Sequence, residues 1–218
     1  MKLATVRMHS LGLALVATLM ASPALAGTIV GSEHDFSTQN WNSQAVICEV
    51  CHTPHNAVTS TANAPLWNHA ETVATFQAYA SLTMDAADAG SQPTASSKLC
   101  LSCHDGTVAV DSFGGATGTE FITGGALIGT NLTDDHPVSI TYDAALFAAD
   151  GGLVDPATTV TIGAGAETRT GPISTVMLRG NRVECSSCHD VHNTFTAGNH
   201  LLVRTNASSA LCLTCHAK

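Results

Sequence analysis

Cys48-Glu-Val-Cys51-His52-Thr-Pro-His55-Asn56 recurs, with different interior letters, as Cys185-Ser-Ser-Cys188-His189-Asp-Val-His192-Asn193. The same head appears twice more, in Cys100-Leu-Ser-Cys103-His104 and Cys212-Leu-Thr-Cys215-His216, so all eight cysteines of the chain sit in C-x-x-C-H motifs. That pattern is the attachment site of haem c. Two thiols add to the two vinyl groups of the porphyrin, and the next imidazole reaches the iron from one face. Structural disulfides, zinc ligation and redox dithiols also use paired cysteines. None of them needs a histidine directly after the second cysteine, and all four motifs have one. Four covalently bound haem c groups are therefore expected, held by Cys48, Cys51, Cys100, Cys103, Cys185, Cys188, Cys212 and Cys215, with His52, His104, His189 and His216 as proximal iron ligands.

Self-similarity extends beyond the cysteines. The first and third motifs share the trailing His-Asn, as quoted. The second and fourth share Ser97-Lys-Leu-Cys100 and Ser209-Ala-Leu-Cys212. Glu33-His34-Asp-Phe-Ser37 precedes the first pair as Asp135-His136-Pro-Val-Ser139 precedes the second. The chain thus reads as two units, near 32–105 and 134–217, each with two haem motifs and two spare histidines. Two spare imidazoles for two irons is what bis-histidine ligation requires, so His34, His55, His136 and His192 are the expected distal ligands. His69 and His200 have no counterpart in the other unit. Each is either a further ligand or a surface or propionate-contacting residue. Met84 and Met177 lie outside the repeated elements and read as packing residues, although methionine can also ligate haem.

Spacing adds a constraint. His55 is three residues from His52, and His192 three from His189. So short a segment cannot wrap a porphyrin to supply both faces of one iron, so each distal histidine must serve a different haem from its neighbour's. Three residues span at most about 10 Å. The two haems concerned must nearly touch.

The first 26 residues read as a secretory signal peptide. Lys2 and Arg7 flank the apolar run Leu11–Met20, and Ala24-Leu25-Ala26 offers a cleavage site; the run is too short to span a bilayer. Their removal from 218 residues leaves 192 and takes the formal charge from −9 to −11. A chain so acidic cannot neutralise a row of phosphates, which excludes nucleic acid as a partner, and a basic membrane anchor is equally unsupported. The charged fraction of 11% is well below the usual ~25%, unlike a disordered acidic tail. Aromatic residues make up only 5% of the chain. Residues 27–218 are therefore expected to form one domain, mostly coil, with its core filled by four haems.

The motif gaps are unequal, with 48 residues between Cys51 and Cys100, 81 between Cys103 and Cys185, and 23 between Cys188 and Cys212. Short helices are expected at each motif and over Glu71–Ser81, where Val73, Phe76 and Ala80 recur at helical spacing. A few short strands are expected in the long middle gap, over Thr119–Ile122, Thr158–Ile162 and Pro172–Leu178, in a surface flap punctuated by Gly-Gly turns.

Ser32-Glu-His34-Asp-Phe-Ser37, the H-T-P-H-N continuation of the first motif, Ala64-Pro-Leu-Trp67-Asn68 and Leu99-Cys-Leu-Ser-Cys-His-Asp105-Gly106 together resemble the OmcE-type tetrahaem cytochromes of metal-reducing bacteria, over nearly all of the chain after the leader. The resemblance implies bis-histidine haems, little regular secondary structure and self-assembly into an extracellular, conductive filament. Periplasmic or outer-membrane cytochromes would then be the donors and external acceptors such as metal oxides the destination. It also implies a distal histidine donated across the subunit boundary, with His34 as the candidate. Electron transfer rather than enzymatic turnover is the expected role. A monomeric periplasmic shuttle is the alternative. A haem-based oxyanion reductase fits poorly, because each iron can have a second histidine and the negative charge repels anions.

Overall fold

The second C-x-x-C-H motif closes a ten-residue helix, α1 (Ala95–His104). Thr94, in extended conformation, begins it, and Leu99 and Leu101 pack inward with Ser97 and Ser102. The third motif opens a single helical turn, α4 (Cys185–Cys188), which begins with a capping box between Glu184 and Ser187. The first and fourth motifs form 3₁₀ turns at Cys48–Val50 and Cys212–Thr214. A two-residue spacer between cysteines is one helical turn, so the motif itself dictates this local form. The computed structural model describes residues 29–164, 167–195 and 199–217; the expected signal peptide, 1–26, lies outside them.

Regular structure elsewhere is sparse. Helix α2 (Ala144–Asp150) starts where the Asp143 carboxylate accepts from the Ala145 and Leu146 amides, and stops at Gly151 in the left-handed region, the expected cap at each end. A one-turn helix, α3, spans Ile173–Val176. Strands β2 (Thr159–Ala164) and β3 (Glu167–Pro172) pair antiparallel, with Thr159 opposite Pro172 and Ala164 opposite Glu167. Strands β1 (Ile140–Thr141) and β4 (Arg182–Val183) form a second antiparallel pair. The expectation of mostly coil, short helices at the motifs and few strands describes this architecture.

Three local expectations are corrected. Residues 71–81 form no helix, because their backbone groups are satisfied sideways: the Phe76 amide and carbonyl both bond the Gln92 side chain, at 2.8 and 2.9 Å, and Gln77 pairs with the strip around Asn131. Val73 is left fully exposed. Thr119–Ile122 is no strand; the Thr119 and Glu120 amides both donate to Asp111 Oδ1 at 2.9 Å. Pro172–Leu178 divides into the end of β3 and α3.

The later half of the long middle stretch is also no surface flap, although residues 114–135 are largely exposed loop. It supplies most of the largest apolar cluster: Ile140, Tyr142, Leu146, Ile162, Ile173, Met177 and Leu178 bury together with Phe195 and Val203, and Met84 packs against them. Both methionines are thus packing residues. Tyr142 is 2% exposed, and its hydroxyl donates to the carbonyls of Val154 and Cys215. The cluster therefore holds the fourth motif from beneath. A smaller cluster of Phe76, Leu101 and Leu132 backs the second.

Candidate functional site

Three imidazole pairs organise the site, each joining the histidine of a C-x-x-C-H motif to a spare one. The ring centres of His34 and His104 are 6.0 Å apart with planes at 81°. His52 and His192 are 6.1 Å apart and nearly parallel, at 19°. His136 and His216 are 6.2 Å apart at 74°. A metal–imidazole bond is about 2.0–2.1 Å, and adding a ring radius on each side puts the centres of two opposed imidazoles about 6 Å apart. The spacing of all three pairs fits one iron held between two rings. His34, given above as a donor to a neighbouring copy, faces His104 of its own chain. His55 and His189 are the motif neighbours of His52 and His192; His55 is exposed, on a turn shaped by the Thr53 hydroxyl donating to its carbonyl at 2.8 Å.

The motif histidines are aimed by backbone carbonyls. Nδ1–H of His52 donates to Pro65 O at 2.6 Å, that of His104 to Ala126 O at 2.8 Å and that of His189 to His200 O at 2.8 Å. His136 Nδ1–H donates to Pro137 O at 2.9 Å. Such a bond fixes the tautomer and leaves Nε2 as the lone-pair nitrogen that a metal needs. Burial, together with the neighbouring His104 ring, lowers the pKa of His34 to about 4, so its ring is neutral near pH 7, as ligation requires.

A hidden repeat emerges from these carbonyls. Around His52, the Thr53 amide donates to Leu66 O and the Asn68 amide to Cys51 O; around His189, the Asp190 amide donates to Leu201 O and the Val203 amide to Cys188 O. Pro65-Leu66-Trp67-Asn68 and His200-Leu201-Leu202-Val203 are therefore equivalent props, one per unit. Leu66 and Leu201 both adopt the left-handed conformation, at φ 53° and 57°, unusual for a side chain of this kind. Reading letters alone missed this, since the two segments share a single residue type in register. It also gives His200 its place: its main chain, like that of Pro65, orients the preceding motif's histidine.

His69 is fully buried, with Nδ1 2.7 Å from Ala70 O and Nε2 3.0 Å from Ala109 O. Both ring nitrogens face main-chain carbonyls and Nε2 also lies 3.5 Å from Cys103 Sγ, so the ring ties separate segments of the chain together beside the second motif.

The cysteines form a row of neighbours. The thiols of Cys100 and Cys185 are in hydrogen-bond contact, Cys51 lies close enough to act on Cys100 and Cys103, and Cys188 is near Cys212 and Cys215. Burial pushes the second thiol of every motif up, to about 11 for Cys51 and Cys188 and about 12 for Cys103 and Cys215. These are protonated thiols near neutral pH, the form least prone to oxidation. Among the described residues, His34 Nδ1 and Trp67 Nε1 are two of five buried side-chain polar atoms without a hydrogen-bond partner in the protein, the others being Thr61 Oγ1, Glu71 Oε1 and Arg182 Nε. Buried polar atoms without partners are rare, and a polar prosthetic group is one way to satisfy them. The residues present fit a covalently attached, axially ligated haem.

Among the described residues, no helix is long and apolar enough to cross a membrane. Against protein-family models, residues 179–218 match the doubled CXXCH motif. No curated protein matches the chain. With four such motifs in the sequence, the doubled motif indicates a multihaem c-type cytochrome, a haem-binding electron-transfer protein that holds its haem covalently.

Proposed function

We propose that the chain carries four bis-histidine haem c groups in a closely spaced row and passes electrons along them. The observation that carries this reading is the spacing of three motif histidines from three spare ones, 6.0, 6.1 and 6.2 Å. His34 then serves the iron of the second motif, His192 that of the first and His136 that of the fourth. His55 is left for the third, reciprocating the gift of His192. Bound haem iron supplies a one-electron ferric–ferrous couple. The chain's residues set its axial ligands, its burial and its spacing. With both faces of each iron taken by imidazole, no position is open for a substrate, and electron carriage rather than enzymatic turnover follows. The test is a haem-to-chain ratio from mass spectrometry, with electron paramagnetic resonance of the oxidised protein. Four haems, all low-spin, are expected; a ratio of two, or a large high-spin fraction at rest, would remove the reading.

The residues resembling OmcE-type cytochromes support export and assembly of copies into an extracellular filament that conducts from cell-surface or periplasmic cytochromes to external acceptors such as metal oxides. One observation favours the monomeric periplasmic shuttle as the second reading: His34 faces His104 within the same chain, so no copy needs a neighbour to complete that iron. Negative-stain imaging of the purified holoprotein separates the two, filaments supporting the first and discrete particles the second.

A further inference from the structure

The helices that carry the second and third motifs meet around one buried acid. Glu184 is 1% exposed and lies directly before Cys185. Its Oε2 accepts from the Ser97 amide at 3.2 Å, the Ser139 hydroxyl at 3.0 Å and the Ser97 hydroxyl. Its Oε1 accepts from the Thr94 hydroxyl at 3.5 Å and lies 3.8 Å from Arg182 Nε. The Ser97 hydroxyl in turn accepts from the Cys185 amide at 3.0 Å, and Ser96 and Ser186 join hydroxyls at 2.7 Å. Donors converge on both oxygens, as an acceptor-only carboxylate requires.

The repeat makes the placement informative. The counterpart of Glu184 in the first unit is Ile47, two residues of no chemical likeness at matching distances from their motifs. The first motif, a 3₁₀ turn after Ile47, has no such acid, so the carboxylate is particular to the joint between α1 and α4. The carboxylate sits beside the attachment cysteines of two neighbouring motifs at once, since Cys100 and Cys185 are in contact.

We propose that Glu184 is a positioning and potential-setting residue for the second and third haems: it locks α1 to α4, and its charge holds the potentials of that pair below what the same ligands would give. The inference rests on the haem reading above. A negative charge buried in low dielectric favours the more positive ferric iron and so lowers the reduction potential. Arg182 opposes it from the rim, shared with Asp88 at 3.1 Å.

Spectroelectrochemical titration of the full-length holoprotein tests this. Glu184→Gln keeps the shape and removes the charge. With four low-spin haems retained, two of the four midpoint potentials should rise, by roughly tenfold in the one-electron equilibrium, or about 59 mV, and Glu184→Asp should restore them. Four unchanged potentials in a fully loaded Glu184→Gln protein overturn the inference while leaving the haem reading intact. Should Glu184→Gln fail to load its haems, Arg182→Gln decides: removal of the opposing cation should move two potentials down, and no movement overturns the inference. A wild-type protein without haem overturns both readings.

Discussion

At the scale of single residues, the histidines divide by what holds their nitrogens. His69 has both ring nitrogens on carbonyls, whereas His52, His104 and His189 have only Nδ1 so engaged. His69→Ala is therefore expected to keep every iron low-spin and to lose about 2 kcal/mol of stability, the cost of stranding buried carbonyls, seen as a lower melting temperature with an unchanged resonance spectrum. His192→Ala should do the reverse, converting one iron in four to a high-spin or weakly ligated form. The ring planes make a further distinction: two pairs are crossed, at 81° and 74°, and one is nearly parallel, at 19°. Iron between crossed imidazoles and iron between parallel ones give different low-spin anisotropies, so the oxidised protein should show both classes. Asp88 gives a pH dependence. Burial alone would raise its pKa, but bonds from the Thr141 amide and hydroxyl and the charge of Arg182 outweigh it and hold the carboxyl below 3.8. A depressed folded value contributes stability above the ordinary value that is lost as pH falls through the folded one. Asp88→Asn should flatten the acid limb of a melting-temperature profile below pH ~4.

At the scale of elements, the four motif turns and their histidines were legible because covalent chemistry fixes both residue type and spacing. The Asn after His55, at φ 56°, was legible as a repeated letter but not as a reason; it is the residue that tolerates a left-handed turn. Asn56→Gly should be neutral and Asn56→Ala should cost about 1 kcal/mol in thermal unfolding. The paired props at Pro65–Asn68 and His200–Val203 were hidden because they act through carbonyls and amides, which any residue type supplies. The helix expected over residues 71–81 failed for a related reason. Its apolar spacing was right, yet Gln92, Thr130 and Ser102, all distant in sequence, took its backbone bonds. The hairpin of β2 and β3 has a clearer requirement. A Cβ on Gly163, at φ 91°, would lie 2.2 Å from Glu167 O and 2.7 Å from the Phe195 ring. Gly163→Ala should destabilise the protein by more than about 2 kcal/mol, measured by denaturant unfolding, because neither the backbone oxygen nor the buried ring can give way.

At the scale of the whole molecule, charge and ligand exchange dominate. With 17 acidic and 8 basic residues, the surface repels anions, and salt screens that repulsion. Stopped-flow oxidation of the reduced protein by a small anionic oxidant should accelerate with ionic strength, and oxidation by a cationic one should slow. The pairing of His52 with His192 has a consequence in time as well as in space. The first motif precedes its partner ring by 140 residues in the chain, so on the proposed ligation a porphyrin attached there lacks its second ligand until residue 192 is in place. On the ligation proposed above, a protein cut short before residue 192 is expected to present an accessible, high-spin iron at the first motif where the complete one presents none, visible as added high-spin signal in its resonance spectrum.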